Sequence, residues 1–351
     1  MGSQTSSTHR RNAVESVANY PGYSTIAVQP PSEAPLRNAM RQPMATGTGT
    51  PYGVVDSPLI VGVSTRALFD LAEEHDLFVR DGEYAYCALQ RKREAVPLRP
   101  GCAFELIKRL LALNPLGEEK FVEVVLLSRN PPDLALRAFH SCEHHGLRIA
   151  GASFTSGRSV APYAEAWGVD LFLSNDDNDV RAALAAGMAA ARLCPIPQWT
   201  ADASRDEVHF ALDGDSVVFS SESDEIFRKF GLDVFERHEQ NSAQSPMAPG
   251  PFGDALLQKL VWLRKRSMKL DGTSRVRITL VTARNAPAHE RVIRTFRYWG
   301  ASFDEVHFVG SHEKAPLLRA TGAHIYFDDR DANVIEASRF VPAGLVHSNP
   351  T

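Results

Sequence analysis

The sequence predicts an α/β protein in which two copies of one strand-and-helix unit follow each other. From residue 55 onward, strand-length apolar runs rich in β-branched residues alternate with amphipathic helical stretches. The same pattern recurs later in the chain at a nearly constant offset. The 351 residues are 44% hydrophobic and 23% charged, which is enough to bury a core. This alternation indicates parallel sheets covered by helices on both faces.

The elements can be predicted in chain order. The strand-length runs are SPLIVGV, EVVLLS, DLFLS, VHFAL, VRITLVT, EVHFVG and HIYF. The helical stretches between them include AFELIKRLLALN, LALRAFHSCEHH, DVRAALAAGMAAARL and HERVIRTFRYW. Residues 1–54, in contrast, are rich in Ser, Thr, Gly and Pro with few apolar residues, and we expect a disordered tail. Gly2 fits a myristoylation pattern, but no polybasic segment follows as a second anchor, so lipidation is not expected.

Composition excludes several classes of function. The net charge of -4, with no long basic block, argues against binding nucleic acid or a membrane surface. The four cysteines are far apart, as expected for a reducing compartment rather than for a disulfide framework. We find neither an apolar run long enough to span a membrane nor a secretory signal. The sequence therefore predicts a cytoplasmic protein.

The two copies, residues 55–200 and 205–351, align in three places. VVLLSRNPPDLALRAFHSCEHHGL matches TLVTARNAPAHERVIRTFRYWGA without a gap when Ser128 is set on Thr282, an offset of 154. The same offset sets GVDLFLSNDDNDV on GAHIYFDDRDANV. Upstream, VSTRALF matches DGDSVVF at an offset of 150. The chain therefore contains one α/β unit twice.

The copies differ at their strand ends, where open α/β sheets bind ligands. The second copy carries Asp213, Asp215, Thr282, Lys314, Asp328 and Asp329 at strand ends or helix starts. At or near the same places the first copy has Val63, Thr65, Ser128, Arg158, Ser174 and Asn175. A strand-end Asp-Gly usually marks a turn. Turns alone, however, do not explain why the first copy lacks both carboxylate pairs while it keeps the surrounding pattern, so we expect the second copy to carry the site.

These motifs resemble those of the haloacid dehalogenase superfamily, in the order DGDSV, the Thr of LVTAR, the Lys of HEKAPLL and YFDDRD. Longer stretches, among them VSTRALFDLAEEH, ALDGDSVVFSSES, PMAPGPF and LVTARNAPAHERVI, resemble the cytosolic 5′-nucleotidase type I family over residues 57–347. The resemblance implies two tandem haloacid-dehalogenase-like (Rossmann-like) units, the first degenerate and the second catalytic. It also implies Mg-dependent hydrolysis of AMP-like nucleoside 5′-monophosphates to nucleoside and phosphate, through an aspartyl-phosphate.

The resemblance assigns a role to each of these residues. Asp213 is the expected nucleophile. Asp215 is the expected proton donor and acceptor, with a pKa raised by neighbouring carboxylates. Thr282 and Lys314 are expected to hold the phosphoryl group, although a helix cap and a solvated lysine are the ordinary interpretations of such residues.

The same resemblance implies an Mg²⁺ site. The expected ligands are Asp213, the backbone carbonyl of Asp215, and Asp328, because Mg²⁺ prefers hard oxygen donors. For Asp329 two roles stay open, since it could bind the metal through water or orient Asp328.

Residues 220–275 form an insertion between the first two motifs, and the resemblance implies a small helical cap over the substrate. SDEIFRKFG and DALLQKLVWLRKR are its expected helices. Phe227, His238 and Phe252 are candidates for contact with the nucleoside, although a structural role is the more common one for such residues.

Alternative functions also stay open. One is a phosphatase for another small phosphomonoester, and another is a nucleotide-sensing pseudophosphatase. For the first copy we consider a folding platform, a surface for homo-oligomerisation and a site for an activating nucleotide.

Overall fold

A computed structural model of the chain describes residues 56–194 and 207–347. The expected tail, with Gly2, lies outside the described residues. No helix in these two described ranges is both long and apolar enough to cross a membrane.

The first half of the described chain has seven strands and six α-helices. Its strands are β1 (Leu59–Val63), β2 (Phe69–Asp70), β3 (Arg99–Pro100), β4 (Val122–Ser128), β5 (Gly151–Phe154), β6 (Leu171–Ser174) and β7 (Ala189–Leu193). Its helices are α1 (Thr65–Leu68), α2 (Ala72–Lys92), α3 (Phe104–Ala112), α4 (Ala135–His144), α5 (Ala161–Ala166) and α6 (Asp177–Ala185). A 3-10 turn, Pro132–Leu134, precedes α4.

The described second half has five strands and six α-helices. Its strands are β8 (Val208–Leu212), β9 (Val276–Thr282), β10 (Glu305–Phe308), β11 (Ile325–Asp328) and β12 (Ala343–Leu345). Its helices are α7 (Glu222–Phe230), α8 (Leu232–Asn241), α9 (Ala255–Arg266), α10 (His289–Trp299), α11 (Ala315–Thr321) and α12 (Asp331–Ala337).

Ten of these strands form one sheet in the order β10-β9-β8-β11-β12-β7-β6-β1-β4-β5. Neighbouring strands are parallel within each half, whereas β12 and β7 pair antiparallel where the halves meet. From this seam outward, β7-β6-β1-β4-β5 and β12-β11-β8-β9-β10 have the same relative chain order. The predicted α/β class, with a large and mostly parallel sheet flanked by helices, is confirmed.

The central strands are buried on both faces because helices cover both. All five residues of β8 are buried. Helix α10 matches its predicted stretch HERVIRTFRYW and buries Val292, Phe296 and Trp299 on one face. It ends at Trp299 and is capped by Gly300, whose φ of 63° is left-handed and therefore favours glycine.

One helix prediction was wrong at its C-terminal end. The stretch DVRAALAAGMAAARL was expected to be helical throughout, but α6 ends at Ala185 and Ala189–Leu193 forms β7. Gly187 has φ 80°, which stops the helix. Pairing with β6 and β12 then outweighs the helix propensity of the alanines.

Candidate active site

Three neighbouring strands of the second half deliver the predicted site residues to one edge of the sheet. Asp213 follows β8, Thr282 ends β9 and Asp328 ends β11. Strands β9, β8 and β11 are adjacent and parallel, so their carboxyl ends lie side by side. The backbone N–H of Asp213 also donates to the Phe327 carbonyl at 2.8 Å, which fixes the chain where it leaves β8.

Three carboxylates meet at this edge. Asp213, Asp328 and Asp329 each place one oxygen within 4.8 Å of the others. Asp213 and Asp328 are buried. Burial, together with the charge of Asp328, raises the pKa of Asp213 and raises that of Asp329 to about 6. Such crowding requires positive charge nearby.

Lys314 supplies part of that charge. It precedes α11, and its Nζ lies 2.6 Å from Asp213 Oδ1 and 2.8 Å from Asp328 Oδ2. Burial disfavours the ammonium, but the two carboxylates outweigh that cost and raise the pKa of Lys314. The lysine predicted from sequence is therefore a buried cation between two of the predicted acids, and not a solvated helix-start residue.

Asp328 is held by further groups that the sequence analysis did not identify. The Tyr326 hydroxyl donates to its Oδ2, and Asn333 Nδ2 donates to both carboxylate oxygens at 3.0 and 3.1 Å. The backbone N–H of Arg330 donates to Oδ1 at 2.8 Å. These bonds fix the orientation of the carboxylate before any ligand binds.

Asp215 has a partner that sequence analysis also missed. Arg284 Nη2 donates to Asp215 Oδ1 at 2.7 Å, and Arg284 Nε donates to Oδ2 at 2.9 Å. The guanidinium is buried and also donates to Glu239 on α8. Its position two residues after Thr282, in LVTAR, is the signal that could have indicated it, since alternate residues of an extended chain face one side.

Thr282 is fully buried at the end of β9, and its Oγ1 accepts from the backbone N–H of Arg284 at 3.2 Å. A hydrogen bond from a backbone N–H to the side chain two residues earlier is typical of turns and helix caps. It agrees with the capping role that the sequence analysis considered as the ordinary one for this threonine. A side chain at Gly214 would place its Cβ 2.8 Å from Thr282 Oγ1, so any larger residue between the two aspartates would displace the buried threonine.

The insertion between residues 220 and 275 contains α7, α8 and α9. Glu239 of α8 accepts from Ser223 at 2.7 Å and from Arg291 of α10 at 3.0 Å, besides its contact with Arg284. Asp224 of α7 accepts from Arg330 at 2.8 Å. Helices α7 and α8 are thus tied to the loops that carry the site.

The three candidates for nucleoside contact differ in environment. Phe252 is fully buried, with its ring 4.9 Å from that of Phe327, and belongs to the core. His238 Nε2 lies 3.3 Å from Arg291 Nη1. Phe227 is 44% exposed on α7, which leaves its ring available to a ligand.

The donor set fits a hard divalent cation. Asp213, Asp328 and Asp329 offer three carboxylate oxygens in one small volume, which is the ligand chemistry that such ions prefer. Among the residues that the structure describes, this is the one acidic group close enough to hold a metal ion.

Comparison with known proteins gives two findings. A family model described as 5′-nucleotidase matches residues 52–350. Cytosolic 5′-nucleotidase 1B of Homo sapiens is 29% identical over 299 residues, which cover 80% of this chain and 47% of the human protein. The chain therefore spans about half the length of this curated relative.

Proposed function

Because the chain belongs to the 5′-nucleotidase family, we propose that it hydrolyses nucleoside 5′-monophosphates such as AMP to nucleoside and phosphate. The family match and the human relative confirm the resemblance to cytosolic 5′-nucleotidases found in the sequence. The main structural support for this activity is a buried group of three residues. Asp213 and Asp328 lie at the ends of adjacent strands, and Lys314 forms an ion pair with each of them. The relative's name also supports the cytoplasm as the location.

The first step of the proposed reaction belongs to Asp213. A carboxylate oxygen of Asp213 attacks phosphorus and forms an aspartyl-phosphate, while the bond from phosphorus to the 5′ oxygen breaks. Lys314 Nζ lies 2.6 Å from Oδ1 of the attacking carboxylate. Its positive charge can stabilise the negative charge of the phosphoryl group during transfer. The hydroxyl of Thr282 can donate to a phosphoryl oxygen.

Protons are handled by Asp215 in this proposal. It gives a proton to the departing 5′ oxygen, and then takes one from the water that attacks the aspartyl-phosphate and releases phosphate. Arg284 grips the Asp215 carboxylate and holds it in one orientation for both transfers. Arg284 is therefore a positioning residue.

Mg²⁺ is the proposed metal. Asp213 and Asp328 would bind it, together with the backbone carbonyl of Asp215, and Asp329 would bind through water or orient Asp328. When bound, such an ion neutralises developing charge on the phosphoryl oxygens.

We also assign the two halves to tandem haloacid-dehalogenase-like units, residues 55–200 and 205–351, with residues 220–275 as the cap. The common strand order on either side of the seam supports this assignment. So does the contrast between Asp213, Asp328 and Asp329 and their counterparts Val63, Ser174 and Asn175. The first unit lacks a nucleophile and would be catalytically silent.

The test is phosphate release from a panel of monophosphates. With Mg²⁺ present we expect turnover of nucleoside 5′-monophosphates, and none in excess chelator. Faster release from sugar phosphates would make the protein a phosphatase of another class. Binding of AMP without release would make it a sensor.

A further inference from the structure

A cavity of about 320 Å³ opens in the first half of the protein. It lies at the carboxyl ends of β4, β1 and β6, where Ser128, Thr65 and Ser174 are found. These strands are adjacent in the same order as β9, β8 and β11 of the second half. The cavity therefore occupies the place in the first half that the candidate active site occupies in the second.

The side chains at the three strand ends of this cavity are polar and uncharged, although the carboxylates of Glu83, Asp176 and Asp179 also line it. Thr65, Ser128 and Ser174 are each 1% exposed, and Thr65 Oγ1 lies 2.9 Å from Ser128 Oγ. Asn130 Nδ2 donates to Thr65 Oγ1 at 2.9 Å. Hydroxyl and amide groups donate hydrogen bonds to anions, whereas the carboxylates of the second half repel them unless a metal intervenes.

Two arginines add positive charge to the cavity. Arg66 lines it, is half-buried, and makes no hydrogen bond or ion pair with any described residue. Arg129 also lines it and donates to the Gly157 carbonyl at 3.0 Å, with Asp176 and Asp179 3.7 Å away. A half-buried guanidinium is stabilised by an anionic partner. The N–H donors of Arg66 are therefore available to an anionic ligand in the cavity.

The wall of the cavity is aromatic. His75, Phe78 and Tyr86 of α2 line it, and Phe78 is 42% exposed. Such rings can stack on a planar base. Asp176 and Glu83, which also line the cavity, can accept hydrogen bonds from sugar hydroxyls. Its volume is at the lower end of the range for small-molecule sites.

We infer that this first-half cavity binds a nucleoside phosphate, with the phosphate on Arg66 and the strand-end hydroxyl groups, and does not hydrolyse it. Hydrolysis is absent because Val63 replaces the nucleophile. No metal is needed, because the strand ends carry hydroxyl groups instead of carboxylates and Arg129 lies 3.7 Å from both Asp176 and Asp179. The anion site rests on the cavity alone, whereas the choice of a nucleoside rests on the proposed function.

The experiment counts AMP molecules bound per full-length chain by equilibrium dialysis. The chain carries Asp213→Asn to prevent turnover. We expect two sites with Mg²⁺ and one in excess chelator. Adding Arg66→Gln should weaken the metal-independent site by about 10- to 100-fold, the effect of losing a charged hydrogen bond. Arg158→Gln is the matched control, since Arg158 is exposed and does not line the cavity.

The outcomes separate the two proposals. If AMP binds at a single site that requires Mg²⁺, and Arg66→Gln does not change this binding, the cavity proposal is wrong. The proposed function is then unaffected. A different result is a protein that neither binds nor hydrolyses AMP but binds inorganic phosphate in excess chelator, and loses that binding with Arg66→Gln. This result would keep the anion site. It would overturn both the choice of a nucleoside as ligand and the proposed function. In the active chain, Arg66→Gln should leave kcat at saturating AMP within about twofold, and circular dichroism should show an unchanged fold.

Discussion

At the scale of single residues, the proposed chemistry depends on which groups touch the Asp213 carboxylate. Lys314 bonds to it at 2.6 Å, and Asp328 shares the same lysine. Changing Asp213→Asn keeps the shape but removes the attacking charge, so turnover should fall by at least about 1000-fold. Phosphate release and AMP binding, measured side by side, check this. Activity within a few-fold of the parent would remove Asp213 from the role of nucleophile.

Arg284 offers a second test at this scale. Arg284→Lys keeps a positive charge but cannot grip Asp215 with two parallel bonds. We expect kcat to fall by about 10- to 100-fold with KM nearly unchanged, because Asp215, the proposed proton donor, loses its fixed orientation. The pH profile of kcat should shift as well.

Arg291→Lys is the control for Arg284. Arg291 is also buried and bonds to the same Glu239 at 3.0 Å, and the structure gives it no bond to Asp215. Both variants should lower the melting temperature, but only Arg284→Lys should change kcat and its pH profile. Equal kcat in the two variants would show that Arg284 acts only through stability.

The same residues show where sequence reasoning stops. Asp213, Lys314 and Asp328 could be found because strand ends of a parallel sheet meet at one edge. Arg284 and Asp215 are 69 residues apart, and Arg284 and Glu239 are 45 apart. No periodicity relates such partners. The contact of Arg284 with Asp215 follows from the pairing of β8 with β9, and its contact with Glu239 follows from where α8 lies in the fold.

At the scale of elements, β7 and β12 are two strands of the main sheet that sequence analysis missed, together with β5 and the short pair β2 and β3. AAARL and AGL contain neither the β-branched nor the aromatic residues that favour strands. Their small side chains have a structural reason, because a Cβ at Gly344 would lie 3.0 Å from Ala191 Cβ and 2.9 Å from the Phe327 ring. Close packing at the seam therefore requires small side chains in place of the large β-branched and aromatic ones from which a strand is predicted.

Strand β8 contains a histidine whose titration should be visible in the stability of the whole protein. His209 is fully buried, and its Nε2 lies 2.6 Å from Thr279 Oγ1 on β9. Burial lowers its pKa to about 4, against 6.5 when exposed. Between these values the unfolded chain binds a proton that the native state does not bind, so stability is full above about pH 6.5 and is lost as the pH falls toward 4.

The expected loss from His209 is about 3 kcal/mol, since one pH unit of pKa difference corresponds to about 1.4 kcal/mol. Urea unfolding at several pH values would measure it. His209→Gln keeps a polar group beside Thr279 but cannot titrate, and its free energy of unfolding should depend less on pH over this interval. Parallel pH dependence in the parent and the variant would contradict the assignment.

At the scale of the whole molecule, the two halves share one core. Buried residues of β1 and β4 belong to the same apolar cluster as those of β8 and β9. Lys259 on α9 bonds to the Pro58 carbonyl at 2.6 Å and lies 3.3 Å from Asp170. Separating the halves would expose this apolar surface and the edges of β7 and β12.

We therefore expect a fragment of residues 205–351 to be insoluble or inactive. Solubility after expression, followed by size-exclusion chromatography and phosphate release, tests this. Co-expression with residues 55–200 is the control, because it can restore the shared core. A monomeric fragment with full activity would show that the first half is dispensable.

The antiparallel seam between β7 and β12 sets the directions in which the two clefts face. Strands of one half run opposite to those of the other, so their carboxyl ends point to opposite edges of the continuous sheet. The candidate active site and the first-half cavity therefore open away from each other, and two small molecules would approach from opposite directions. Neither can obstruct the other's entrance, so an occupant of one cleft influences the other only through the strands and helices between them.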